Sequence, residues 1–185
     1  MHRFFADERG IVQGAAYLNA EDAGHALRVL RLESGDEVEL VCAPARYRAK
    51  IDSTEGGEVR LRVIEKLRDT EARTRVTLYQ GLPKADKMEL IVQKSTELGA
   101  AAIAPVAMIR SVVKLEGKDA AKKTERWQKI AREAVKQCAR VSAPEVRLPR
   151  KLSAMREELN ALDVLIVPWE DARDGSVADC LAPFA

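Results

Sequence analysis

The residues best able to do chemistry lie in two stretches. The first is Gln80 to Gly99, QGLPKADKMELIVQKSTELG. It sets Lys84, Asp86 and Lys87 in a short polar loop and then spaces Glu89, Gln93, Lys94 and Glu97 along the segment that follows. Lysines at such a loop can hold an anion, and carboxylates and amides can contact a base or pass on a proton. The second stretch is Arg110 to Arg156, with 14 basic and 5 acidic residues. Within it Arg132, Lys136 and Arg140 recur at i, i+4 and i+8, a basic ridge suited to a phosphate backbone. Both stretches also fit ordinary solvated surface, and charge alone does not separate the two readings.

These residues need elements to position them. Arg75 to Leu82 reads as a strand, ended by Pro83, which cannot donate to a central ladder. Asp86 stands at an N-cap position with Glu89 three residues on, the capping-box spacing. Met88, Ile91, Val92, Ser95 and Leu98 then mark one helical face, and Gly99 closes the helix. A strand, loop and helix in this order is where α/β proteins bind ligands. Beyond it, Trp127, Ile130, Ala131, Ala134, Val135 and Cys138 form the buried stripe of a long helix. The expected series is strand 75–82, helix 86–98, strand 101–108, helix 119–141, strand 144–148, helix 153–161 and strand 163–168. Helices between short apolar runs imply a mostly parallel sheet. Ala101 to Met108 and Val164 to Val167 are apolar enough to be covered on both faces.

Residues 1–70 follow a different pattern. Met1 to Phe5 is a candidate edge strand, and Asn19 caps a helix with Asp22 three residues later. Strands are expected at 37–42, 46–52 and 59–67, separated by Pro44 and by Gly56-Gly57, which suggests a small barrel. Arg46, Arg48 and Lys50 share a strand face as a second basic stripe. RDTEARTR, from Arg68 to Arg75, has no apolar period and reads as the linker.

The net charge of +2 hides an asymmetry. Residues 1–70 carry 11 basic and 13 acidic side chains, 71–162 carry 19 and 11, and 163–185 carry 1 and 5. A basic middle flanked by acidic ends points to a polyanion, most plausibly nucleic acid. Aromatics make up only 4% of the chain. Extended base stacking is therefore disfavoured, and a folded RNA held by its backbone or a single flipped base fits better. The three dispersed cysteines, Cys42, Cys138 and Cys180, fit reduced thiols, and two histidines argue against structural zinc. GxGxxG, Walker A, HExxH, CxxC and GxSxG are all absent, so the common nucleotide, zinc-hydrolase and serine-hydrolase readings lack support. No segment reads as membrane-spanning or as a signal peptide.

At LPKADKMELIVQKSTELG, IRSVVKL, RWQKIAREAVKQCAR and SAPEV the chain resembles the RsmE family of 16S ribosomal RNA uridine methyltransferases. RFF at Arg3 to Phe5 and HALRVLRLESGDEV at His25 to Val38 are similar to that family's first domain. The resemblance implies an α+β chain of two domains: a PUA-like RNA-binding β-barrel over 1–70 and an α/β SPOUT methyltransferase domain, with a trefoil knot, over 71–185. It implies S-adenosylmethionine (SAM) as cofactor and methylation of N3 of a uridine in the decoding region of 16S rRNA. The small ribosomal subunit as partner, a cytoplasmic homodimer, and no metal or membrane are also implied. The family's Gly-Pro-Glu-Gly-Gly loop and Leu-Arg-x-Glu-Thr segment do not occur before Ala185, so the knot is expected to be incomplete. A non-catalytic RNA-binding module is the alternative this leaves. Val167, Pro168 and Glu170 resemble the first loop of the SAM pocket.

A uridine imide reacts as its anion, which a nearby cation favours and a carboxylate can help to form. Arg110 and Arg140 are therefore candidates to stabilise the uridine oxygens. Glu89, with Gln93 and Glu97 beside it, is a candidate to contact the base or to order a partner arginine. Arg3, Arg28, Arg31, Lys84, Lys87, Lys114 and Arg126 are candidate phosphate contacts, along with Arg110 and Arg140.

Overall fold

The computed structural model describes residues 1–68, 71–84, 86–109, 117–138, 140–168, 171 and 176–184. Arg110, Lys114 and Glu170 lie outside the described residues.

The first half builds a curled mixed sheet from β1 (Arg3–Phe5), β2 (Ala15–Tyr17), β3 (Glu37–Cys42), β4 (Ala45–Ser53) and β5 (Arg60–Lys66). The strand order is β1-β3-β4-β5-β2, with β1 parallel to β3 and the other pairs antiparallel. The two outer strands meet through an Ala6–Leu18 bridge and an Asp7 N–H to Tyr17 O bond of 2.8 Å, so the sheet bends round on itself. Alternation along β3 to β5 sends Val38, Leu40, Ala49, Ile51 and Leu61 inward, where they meet Phe4. Ala23 and Ala26 close the core from α1 (Ala20–Gly24) and the π-helical turn that continues it, His25–Val29.

Asn19 caps α1 as its spacing predicts, accepting from Asp22 N–H at 2.9 Å. The Asp22 carboxylate in turn accepts from Phe5 N–H at 2.6 Å, which ties the helix to β1. The expected strands at 37–42, 46–52 and 59–67 form within a residue of those bounds. β2 was not expected, because three residues behind Gly14 are too short to show alternation.

The basic stripe on β4 is not a free phosphate surface. Its cations face carboxylates across the ladder: Arg46 bonds Glu39 at 3.1 Å, Arg48 bonds Glu65 at 3.1 Å, and Lys50 stands 4.0 Å from Glu37. Opposite charges across a strand pair stabilise each other and cancel the stripe's field.

The second half forms a parallel sheet. β6 (Thr77–Gly81) and β8 (Glu145–Val146) flank β7 (Ala102–Ala107), and β9 (Arg150–Lys151) also pairs with β7. The outer strand is interrupted before β9 because Pro149 has no N–H to donate. α2 (Lys87–Glu97) and α3 (Gly117–Cys138) cover one face. Met88 and Val92 of α2 and Trp127 and Ala131 of α3 pack with Ile103, Val146 and Leu82.

Two features of α2 differ from expectation. Asp86 occupies the N-cap, but its side chain makes no capping bond, and Glu89 turns to α3 instead. Thr96 is buried, bonding Val92 O at 2.8 Å, whereas Leu98 is 88% exposed at the C-cap. The helix ends in a Schellman motif. Gly99, at φ +98°, donates to Thr96 O at 3.1 Å and Ala100 donates to Ser95 O at 2.9 Å.

The expected strand at 163–168 does not form, although helix 153–161 is present as a 3-10 turn (Leu152–Met155) and α4 (Arg156–Asn160). Residues 164–168 have no ladder partner among the described residues, and Leu165 and Val167 are exposed. An apolar run becomes a buried strand only where a neighbour offers a free ladder edge. A short helix, α5 (Val177–Leu181), follows, closed by a Ser176–Asp179 capping box.

Candidate nucleic-acid interface and active site

The structure joins two residues that the sequence assigns different tasks. Arg126, on α3, donates to the Glu89 carboxylate on α2 at 2.9 Å. The pair stands at one end of a shallow groove of about 560 Å³ between the helices, which Gln93, Lys129, Glu133 and Gln137 also line. Lys84 and Lys87 are exposed where β6 hands over to α2, and Lys87 stands within one turn of Glu89. The polar face of α2 is thus a groove wall. Gln93 and Lys94 both donate to Glu97, at 3.0 and 2.7 Å, and the Lys94 bond holds that carboxyl below its ordinary range.

Arg140 stands elsewhere, and its side chain is only 12% exposed. Its Nε and Nη2 donate to Glu71 at 3.0 and 2.8 Å, and its Nη1 donates to the carbonyls of Thr96 and Ala100 at 3.1 and 2.8 Å. Four of its five N–H groups are therefore occupied within the fold. The Glu71 carboxylate also accepts from Val141 N–H at 2.9 Å. Burial opposes its charge, but the bonds from Arg140 and Val141 outweigh burial and hold the carboxyl below its usual value.

Of the other candidates, Arg3 bonds Glu39 and is largely buried. Arg28 folds back over Gly24, and Arg31 is exposed in a left-handed conformation at φ +54°. The expected ridge is also redrawn. Lys136 is held by Glu21 at 2.9 Å and Glu133 at 3.4 Å, so with Arg140 in its clamp only Arg132 of that trio stays open to solvent. On α3 four of the exposed cations, Lys118, Lys122, Lys129 and Arg132, instead share one arc of about 80° with Glu125 inside it, taking about 100° per residue.

A second cluster was missed. Tyr79 O–H donates to Glu158 at 2.7 Å, and Arg147 and Arg150 donate to the same carboxylate, which fastens α4 to the sheet. Three donors on one carboxylate lower its pKa, the Tyr79 and Arg150 bonds most. Burial and the carboxylate raise that of Tyr79. Tyr79, Glu158 and the two arginines share no sequence period, so only the sheet brings them together.

This geometry predicts acid sensitivity. A carboxyl depressed in the fold stabilises it above the unfolded value of 4.5 and loses that contribution as pH falls through the lower folded value. Melting temperature should fall below about pH 4.5. Glu158→Gln should melt lower than wild type at pH 7 and descend less steeply in acid. Parallel melting curves against pH would refute the coupling.

An RNA methyltransferase domain model matches residues 70–182. The ribosomal RNA small subunit methyltransferase E of Bacillus subtilis is 35% identical over 178 residues, covering 93% of this chain and 69% of that protein. The chain belongs to the ribosomal RNA small subunit methyltransferase E family. Another member, from Mycobacterium bovis, is 28% identical over 92% of this chain and 67% of its own length. The crystal structure of the family member from Neisseria gonorrhoeae, bound to S-adenosyl methionine, superposes with a TM-score of 0.65 at 30% identity. That match covers 88% of this chain and 66% of the gonococcal one. The chain thus spans about two thirds of the length of these family members.

The described residues do not enclose a cofactor cradle at the expected place. Val167 is 74% exposed, Pro168 is exposed as well, and the groove described above is built from α2 and α3. No helix among the described residues is long and apolar enough to cross a membrane.

Proposed function

We propose that this chain serves SAM-dependent methylation of N3 of a uridine in the decoding region of 16S rRNA. The observation that carries the reading is the match to the methyltransferase E family over nearly the whole chain, with its RNA methyltransferase domain at residues 70–182. Bound SAM supplies an electrophilic methyl group. The residues of this chain serve the acceptor. The curled sheet, with the linker up to residue 70, is read as a PUA-like RNA-binding unit, and residues 71–185 as the SPOUT unit. Arg126, steadied by Glu89, Arg132 and the exposed lysines at 84, 87, 118, 122 and 129 meet backbone phosphate. Arg110 remains the candidate to stabilise the uridine anion. The protein is expected to work in the cytoplasm as a homodimer on the small subunit.

Small subunits from cells lacking the gene should accept label from methyl-labelled SAM in the presence of the protein. Nucleoside mass spectrometry should find 3-methyluridine in one decoding-region fragment. Absence of transfer, or a methyl on another atom, would overturn the proposal.

A further inference from the structure

The chain passes from the curled sheet to the parallel sheet between two fixed points. On the near side, Leu67 N–H bonds Arg46 O at 2.8 Å, and Arg46 Nη2 donates to Arg68 O at 2.7 Å. On the far side, Glu71 is gripped by Arg140 and by the Val141 N–H. Glu71 is three peptide steps from Arg68, so their Cα atoms are at most about 11 Å apart. A second contact joins the two halves, from Lys136 on α3 to Glu21 on α1 at 2.9 Å.

Arg140 does more than receive the linker. Its Nη1 also satisfies Thr96 O and Ala100 O at the C-terminal end of α2. One guanidinium therefore joins the linker, the end of α2 and the segment following α3. Its planar fork suits this task, whereas a lysine would supply a point charge without the geometry.

We propose that Arg140 and Glu71 are positioning residues that lock the curled sheet against the parallel sheet, so that an RNA held by both meets one rigid surface. The substrate part of this inference rests on the methyltransferase reading above. The lock itself does not. Rigidity set before binding spares the complex the cost of ordering two units on the RNA. A broken lock should therefore raise KM for the RNA and leave the chemical step unchanged.

The test compares wild type with Glu71→Gln and Arg140→Lys, accepting only variants whose far-UV circular dichroism matches wild type. Two readouts are followed: trypsin cleavage after Arg73 and Arg75, two exposed arginines just past Glu71, and the kinetics of methyl transfer to small ribosomal subunits. The expected result is cleavage at those two sites faster by about tenfold in Glu71→Gln, with cleavage elsewhere unchanged. KM for the subunit should rise by a similar factor, with kcat within twofold of wild type. Unchanged cleavage, or cleavage accelerated equally at all sites, would overturn the lock. A fall in kcat at constant KM would return Arg140 to the chemistry and overturn the positioning role. If the wild-type protein transfers no methyl group, the methyltransferase reading fails while proteolysis still decides the lock.

Discussion

Replacing Trp127 with alanine should cost about 3–5 kcal/mol of stability, the range for removing a large buried aromatic. Trp127 is 3% exposed and sits where α3 meets α2 and the parallel sheet, against Met88, Val92, Ile103 and Val146. Ala131, the neighbour one turn along, is small, and Ile103 is held in the central strand. In a chain of this size each kcal/mol lowers the midpoint by about 2–4 °C, so the drop should be about 10 °C. The core of Phe4, Leu40, Ile51 and Leu61 is a separate cluster. Where calorimetry resolves two transitions, only that of the parallel sheet should move. Trp127→Phe should lose less than half as much. A shift below about 3 °C for the alanine variant would mean that the α2–α3 seam does not hold this unit together.

The fold was legible wherever a period was long enough to be read. The stripe of α3, with Trp127, Ala131, Ala134 and Val135 buried, follows from 3.6-residue spacing, and β3 follows from alternation. Gly99 could be read as a helix end because only a left-handed residue completes that cap. Segments governed by distant partners were not legible. β2 is three residues long, and 164–168, apolar enough for a strand, has no ladder partner among the described residues. A periodic pattern names the face a segment would bury, not whether a neighbour is there to bury it.

The site was legible in residue type more than in role. The sequence singled out Glu89, Arg126 and Arg140, and the structure brings the first two together. It places the third at a junction whose partner, Glu71, lies in a linker with no distinguishing pattern. Charge shows which residues can bind an anion, but not which have already been neutralised. Arg46 and Arg48 are matched by carboxylates from adjoining strands, pairings set by register that no local window reveals.

The same subtraction of paired cations fixes the salt dependence of RNA binding. Lys118, Lys122, Lys129 and Arg132 remain exposed on one arc of α3 and extend over about 21 Å at 1.5 Å per residue. Each phosphate neutralised lowers the logarithmic dependence of affinity on salt by about 0.7 for single strands and 0.9 for duplex, so these four alone contribute about −3 to −3.6 to the slope, and Lys84, Lys87 and Arg126 add to it. Raising salt from 50 to 200 mM should weaken binding to a 16S rRNA fragment by at least the roughly 50- to 150-fold that these four supply. Lys129→Ala should reduce the slope by nearly one unit and weaken all RNA sequences alike, because phosphate contacts carry no sequence information. Arg48→Ala should leave the slope unchanged, since its charge is spent on Glu65 and Glu37. A flat titration would remove α3 from the interface. A slope that falls with Arg48→Ala but not with Lys129→Ala would move the RNA from α3 to the curled sheet.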